Sequence, residues 1–148
     1  MNIKRKRIIF TSVFILIVSS AVTIWYIFTV KFEDINDQKP DYSIKALDLI
    51  EEFTKSDSLA NKKYAEKIVA VTGVVTEIEP ADSTINIKLG DTITGSYVIF
   101  AFQKQHLKEA TAIKKGDSIS IKGSCSGGAY SEILETEFIT FKRCALIK

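Results

Sequence analysis

The sequence predicts a mainly β fold: a small five-stranded barrel with a leading helical pair, standing behind one transmembrane helix. Three observations carry this. Residues 8–30 are twenty-three consecutive positions without a charged side chain. From Ile68 onward the apolar pattern changes from helical spacing to short alternating, β-branched runs. Those runs fall in the order three strands, one helix, two strands.

The charge-free run sets the organisation. A helix rising about 1.5 Å per residue over that length reaches roughly 35 Å, enough to cross a hydrocarbon core of about 30 Å with some tilt. Lys4, Arg5, Lys6 and Arg7 precede the run, whereas Lys31, Glu33, Asp34 and Asp37 follow it. The cationic flank is therefore N-terminal, and the positive-inside rule keeps residues 1–7 in the cytoplasm and sends the rest of the chain across. Trp25 and Tyr26 suit the exit interface. The expected location is the cytoplasmic membrane, single-pass, with the C-terminal domain extracytoplasmic, periplasmic in a Gram-negative cell. The rival reading is a signal peptide cleaved after Ala21, in the small-residue stretch Ser19-Ser20-Ala21. Cleavage there would leave a strongly apolar new terminus, Val22 to Val30, prone to aggregate. A lipoprotein signal needs a cysteine near the cleavage point, and the first cysteine is Cys125. The bilayer partner is thus expected to meet protein, through residues 8–30.

Of 148 residues, about 110 remain for one domain, close to the commonest domain size. The formal charge of +2 comes from the four N-terminal cations; from Lys31 onward sixteen basic residues face eighteen acidic ones. Arg143 is the only arginine of that part. A domain that grips phosphates normally shows a basic face with several guanidinium forks, and these totals do not.

Residues 31–41 are polar and contain Pro40, which reads as a tether. Residues 42–148 read as the folded domain, with leading helices over 43–65. Ser43 is the expected N-cap, and Ile44, Leu47, Ile50 and Phe53, with Ala46 and Leu49, form one apolar stripe for packing. Asp57 or Ser58 is expected to cap a second short helix through Leu59, Ala60 and Tyr64. Residues 68–78 make the first strand, closed by Pro80, with Gly73 marking a bulge or bend. Ile85, Ile87 and Leu89 alternate with Thr84, Asn86 and Lys88 in the second strand. Val98, Phe100 and Phe102 share one face of the third, residues 97–102. Residues 103–115 read as a helix with Leu107, Ala110 and Ile113 inward, ended by Gly116-Asp117. Ile119 and Ile121 mark the fourth strand, a Gly127-Gly128 loop follows, and the fifth strand covers 138–147. Short strands with one buried face must close on themselves to hide their edges. This order is that of the five-stranded OB-fold barrel, in which the inserted helix can plug one end.

The stretch from Ala60 through Tyr64 to Val71-Thr72-Gly73 resembles the tRNA_anti-like OB-fold family of small bacterial exported and membrane-anchored proteins. So do Leu107 to Lys115-Gly116-Asp117, Ile119-Ser120-Ile121-Lys122-Gly123 and the late Cys144. The resemblance covers residues 43–148 and implies an OB fold behind an export signal or anchor, with no established activity and no tRNA function carried by the name.

Chemistry is sparse. His106 is the one histidine, without a second ligand or base partner nearby in sequence, and is expected at the surface. No Ser/His/Asp set, phosphate-binding Gly loop or paired-carboxylate signature is present. The expectation is therefore no catalytic residues, no cofactor and no enzyme. Glu132, Glu135 and Glu137 are close in sequence, but acidic residues in a hairpin are usually solvated, so no metal site is assigned. Cys125 and Cys144 form a disulfide candidate in an oxidising compartment, a bond that would contribute roughly 3 kcal/mol; the alternative is two buried thiols acting as small apolar groups. A ligand is expected on the wet face of the second and third strands and nearby loops, with Asn86, Lys88, Tyr97 and Tyr130 as candidates. The function these features favour is a membrane-anchored extracytoplasmic module that binds a protein or an envelope glycan. The alternative, a single-stranded nucleic-acid-binding OB domain, needs aromatics beside a basic groove, and the acidic balance disfavours it.

Overall fold

The structure is a computed structural model that describes residues 3–29, 34–102 and 104–147. Val30 of the expected span, residues 31–33 of the expected tether, Gln103 and Lys148 lie outside the described residues. The chain forms two compact units, residues 1–33 and 34–148. The first is helix α1 (Ile3–Thr29), whose stretch Ile9–Thr29 is long and apolar enough to cross a membrane. Hydroxyls inside it are satisfied locally: Thr23 and Thr29 donate to the carbonyls of Ser19 and Trp25, four residues back.

The second unit contains β1 (Tyr42–Lys45), α2 (Ala46–Lys55), α3 (Asp57–Tyr64), β2 (Ile68–Pro80), β3 (Ile85–Gly90) and β4 (Tyr97–Phe102). A 3₁₀ turn (Lys104–His106), α4 (Leu107–Thr111), β5 (Ser118–Ser131) and β6 (Thr136–Leu146) complete it. The sheet runs β1-β2-β3-β4-β6-β5, and β5 returns to β2, so β2 to β6 close a five-stranded OB barrel. The expected fold class is confirmed.

β2 makes closure possible. Its first half pairs antiparallel with β5, from Ile68↔Ser124 to Val74↔Ser118, and its second half pairs with β3 as far as Pro80↔Ile85. The register breaks between Val75 and Glu77, where Thr76 turns its hydroxyl to the Lys88 carbonyl at 3.1 Å. The bend was expected at Gly73, but Gly73 keeps its register with Ile119. It is glycine because an added Cβ would lie 2.9 Å from the Ala46 Cβ, so α2 can approach only a bare backbone.

β1 replaces the expected start of the first helix. Tyr42 to Lys45 pair in parallel with Val69 to Thr72, along the β2 edge that β3 leaves open. Asp41 fixes the start of this pairing, its N–H donating to the Ile68 carbonyl and its carboxylate accepting the Ile68 N–H. Ser43 is therefore a strand residue and no cap. Ser56 caps α3 in place of Asp57 or Ser58, accepting the Leu59 N–H. On α2 the buried stripe is Ala46, Leu49, Ile50 and Phe53, and Leu47, expected within it, is 56% exposed.

α2 packs on β1 and on all five barrel strands, plugging one end, while α4 contacts β3 and β6. Between them lie Val69, Val71, Ile87, Leu89, Val98, Phe100, Phe102, Ile121, Ile139 and Phe141, all fully buried. Phe100 and Phe141 stack at 4.8 Å between ring centroids. The helix expected over 103–115 shortens to the 3₁₀ turn and α4, with Ala110 and Ile113 buried as expected and Leu107 half-exposed.

The expected tether is not free from Asp34 onward. Ile35 is 4% exposed, and buried Lys122 donates to the carbonyls of Asn36 (3.0 Å) and Gln38 (2.7 Å). His106, expected at the surface, is also buried, with Nε2 3.1 Å from Asp34 Oδ1 and Nδ1 3.7 Å from Glu109. The Asn36 N–H first, then His106 and Lys122, hold the Asp34 carboxyl below its usual pKa against a smaller opposing effect of burial.

Gly127-Gly128 is not a loop either. Both lie inside the β5–β6 pairing, opposite Thr140 and Ile139, and the hairpin turns later, at residues 132–135. Asn61 of α3 pairs with both backbone groups of Gly128, at 2.9 and 3.0 Å. A Cβ on Gly128 would meet the Phe53 ring at 2.7 Å and Ile139 at 2.8 Å.

The disulfide candidate is replaced by two free, buried thiols. Cys125 is paired with Phe141, whereas the Cys144 sulfur lies against Gly123, 2.9 Å from where a Cβ would stand there. Two residues along a strand is roughly 7 Å, beyond the Cβ separation of about 3.5–4.5 Å that a disulfide tolerates. Burial raises both thiol pKa values, so neither is a ready thiolate.

Two outcomes are expected. Gly128→Ala overpacks the α2–barrel contact and lowers stability by about 1–3 kcal/mol in urea denaturation. Reductant leaves the Tm unchanged, and iodoacetamide labels Cys125 and Cys144 only once the barrel unfolds; a Tm drop on reduction would show a bond.

Candidate ligand face

Alternation along β3, β4 and β6 separates an inner and an outer surface. Ile87, Leu89, Val98, Phe100, Ile139 and Phe141 point inward, which leaves Asn86, Lys88, Tyr97, Ile99, Phe138 and Thr140 outside. Register sets their neighbours: Lys88 opposes Ile99, Tyr97 opposes Phe138, and Ile99 opposes Thr140. Three expected residues, Asn86, Lys88 and Tyr97, therefore share one face. Phe138, beside Tyr97, was not anticipated, because its run 138–141 is apolar at both parities but for Thr140.

Lys88 is the charged centre of this face and is already fully engaged. Its ammonium lies 3.0 Å from Glu77 and 2.6 Å from Glu79, and 4.8 Å from the centroid of the Tyr97 ring. The side chain is only 14% exposed. Burial would lower its pKa, but the hydrogen bonds to Glu79 and Glu77 outweigh it and raise the value. A cavity of about 370 Å³ opens beside it, with Tyr97, Gly90 and exposed Lys115 on its walls. Chemically, the face offers an aromatic pair, a neutralised cation and two carboxylates.

Tyr130, the fourth candidate, stands elsewhere. It is 52% exposed on β5 and lines a separate groove of about 590 Å³ between α2, the β3–β4 loop and the β5–β6 hairpin. Glu137, read as a solvated hairpin acid, lines the same groove but is 3% exposed. Its backbone N–H donates to the buried Ser96 hydroxyl at 3.1 Å, and its carboxyl shares a hydrogen bond with that of Asp57. Burial first, and then the Asp57 carboxylate, push the Glu137 pKa above its usual value. Glu135 is exposed but lines the groove with Glu137, whereas exposed Glu132 does not, and no His/Cys/Asp/Glu group among the described residues is arranged to hold a metal.

The tRNA_anti-like family model matches residues 1–136. The chain belongs to the tRNA_anti-like family. No curated protein matches it. Among solved structures, this tRNA_anti-like chain is similar to a lipoprotein from Klebsiella pneumoniae that is proposed to bind nucleic acid. The two are 19% identical with a TM-score of 0.58, over 75% of this chain and 100% of that one. Weaker likenesses reach the Stn1–Ten1 complex of S. pombe (12% identity, TM-score 0.38, 55% and 58% covered) and an OBody bound to hen egg-white lysozyme (16%, 0.44, 58% and 86%). At these identities the shared property is the fold.

Glu137 yields a pH signature. Because its folded pKa is raised above the ordinary value of 4.5, the native state holds the proton longer than the unfolded chain. Its contribution to stability is therefore present in acid and lost as pH climbs from 4.5 through the folded pKa. Glu137→Gln should thus gain Tm relative to the parent progressively between pH 4.5 and neutrality. A constant offset in parallel melts would contradict this.

Proposed function

We propose that this tRNA_anti-like chain is a binding module anchored in the cytoplasmic membrane through Ile9–Thr29, its barrel extracytoplasmic, holding an envelope protein or glycan and catalysing nothing. The apolar helix and its N-terminal cations support the anchor and its orientation.

The observation that carries the choice of ligand is the state of Lys88. Bound to Glu77 and Glu79 and laid under Tyr97, it has no free charge for a phosphate. Besides exposed Lys115 at the cavity wall, what remains is Tyr97 and its strand neighbour Phe138 with carboxylates beside them, which suits the apolar face of a sugar ring or a side chain, with N–H or O–H donors meeting Glu77 and Glu79.

A second reading, single-stranded nucleic acid, draws on the same aromatic pair, since bases stack on such platforms, and on the name of the Klebsiella lipoprotein. It lacks the basic track that follows a phosphate backbone.

The full chain in nanodiscs, titrated with labelled single-stranded oligonucleotides at low salt, is expected to show no saturable binding. Saturable binding abolished by Tyr97→Ala would establish the second reading instead. Protease added to sealed cells is expected to remove the barrel, and its survival until lysis would place the domain inside.

A further inference from the structure

The groove that contains Glu137 is distinct from the ligand face, and its composition specifies an occupant. Its walls carry Leu47, 56% exposed, Ile93, 92% exposed, and Tyr130, 52% exposed. Single exposed apolar residues are ordinary, but three converging on one concavity of about 590 Å³ are not. The apolar surface continues at the hairpin tip, next to Glu135, with Ile133 (94% exposed) and Leu134 (63%). That is more surface than a small amphiphile would cover.

The polar lining has one sign. Asp91, Glu135 and Glu137 contribute carboxylates, Glu51 adds a fourth paired to Lys55 at 2.6 Å, and among the described residues no lysine or arginine lines the groove. Asp91 is tied into its own turn by accepting the Ile93 N–H and the Thr94 hydroxyl, which hold it ionised. Glu137 places a further acid at the groove: its side chain is almost wholly buried there and held in a hydrogen bond with the Asp57 carboxyl, so the groove's carboxylates are backed by another acid. Exposed apolar walls around such a charge complement a partner that brings both a cation and apolar side chains.

We propose that this groove docks a polypeptide segment of another protein in which a lysine or arginine stands between apolar side chains. The cation is met by the carboxylates of Asp91, Glu135 and Glu137, and the apolar neighbours cover Leu47, Ile93 and Tyr130. Asp91 and Ser96 also line the cavity beside Lys88, but Leu47, Ile93, Tyr130 and Glu137 belong to the groove alone, so the Ile93 and Tyr97 variants tell the failure of one site from that of the other.

The test uses the full chain in zwitterionic nanodiscs, with empty discs subtracted, and three short labelled peptides: alternating leucine and lysine, leucine and glutamate, and serine and lysine. The leucine–lysine peptide is expected to bind at least tenfold more tightly than the other two. Glu137→Gln and Ile93→Ser should each weaken it about tenfold or more, while Tyr97→Ala leaves it unchanged. Ile93 is almost fully exposed, so its loss reports on docking even should the Glu137 variant misfold. Equal binding of the serine–lysine peptide, or indifference to both groove variants, would overturn the proposal. So would octylamine binding as tightly as the peptide, since a small amphiphile would then be the occupant.

Discussion

The change of hydrogen-bonding partner within β2, from β5 over its first half to β3 over its second, closes the barrel, and every other packing relation depends on it. A strand that serves two neighbours in this way must bend, and the bend is fixed by bonds from outside the sheet. The Val75 N–H donates to the Asp117 carbonyl and the Gly116 N–H to the Val75 carbonyl, so the turn before β5 clamps the point where the β2 register shifts. Without that clamp the two halves of β2 would need separate strands, and the barrel would have an open seam. The bend also leaves one edge of the first half uncovered. β1 fills it in parallel, and α2 then starts where it can drop over the barrel end.

Much of this was legible because some strands bury one face only. β3 and β4 alternate strictly, and their inner and outer residues follow from parity alone, which also brought Asn86, Lys88 and Tyr97 onto one surface. What escaped depends on partners distant in the chain. Tyr42 to Lys45 fits a helical stripe by spacing, and only the β2 edge, 27 residues on, makes it a strand. Gly127-Gly128 carries the usual composition of a loop, but Asn61 and Phe53 from the helical pair require bare backbone there. His106 is buried because Asp34, 72 residues earlier, folds back onto it. The Cys125 and Cys144 thiols are separated by register shifts on either side of Ser124, which no count of intervening residues reveals.

The same limit applied to the ligand face. Lys88 and Tyr97 were identifiable as outward residues, but the neutralisation of Lys88 follows from the β2–β3 register that sets Glu77 opposite it and Glu79 two pairs beyond, on the same face. A lysine counted as a free cation in the sequence is an internal ion-pair member in the fold. Glu137 shows the reverse error: placed among hairpin acids by position, it is drawn inside because its strand neighbour Ile139 and its partner Ser96 belong to the barrel.

These two residues, with Lys122, carry the electrostatic side of the proposed function. Both half-hidden lysines are saturated from within, Lys88 by two carboxylates and Lys122 by two carbonyls. Glu137, by contrast, is a buried acid hydrogen-bonded to a second acid, Asp57, and no cation pairs with it among the described residues. A phosphate backbone brings acceptors and negative charge, which would meet Glu77 and Glu79 on one surface and Asp91, Glu135 and Glu137 on the other. Each such approach adds like-charge repulsion. A polypeptide or a sugar brings N–H and O–H groups, and a basic side chain adds the charge that the groove lacks. In the function proposed above, this balance of donors and acceptors, more than the fold itself, turns the domain toward protein or glycan, since the fold alone would accommodate nucleic acid as well.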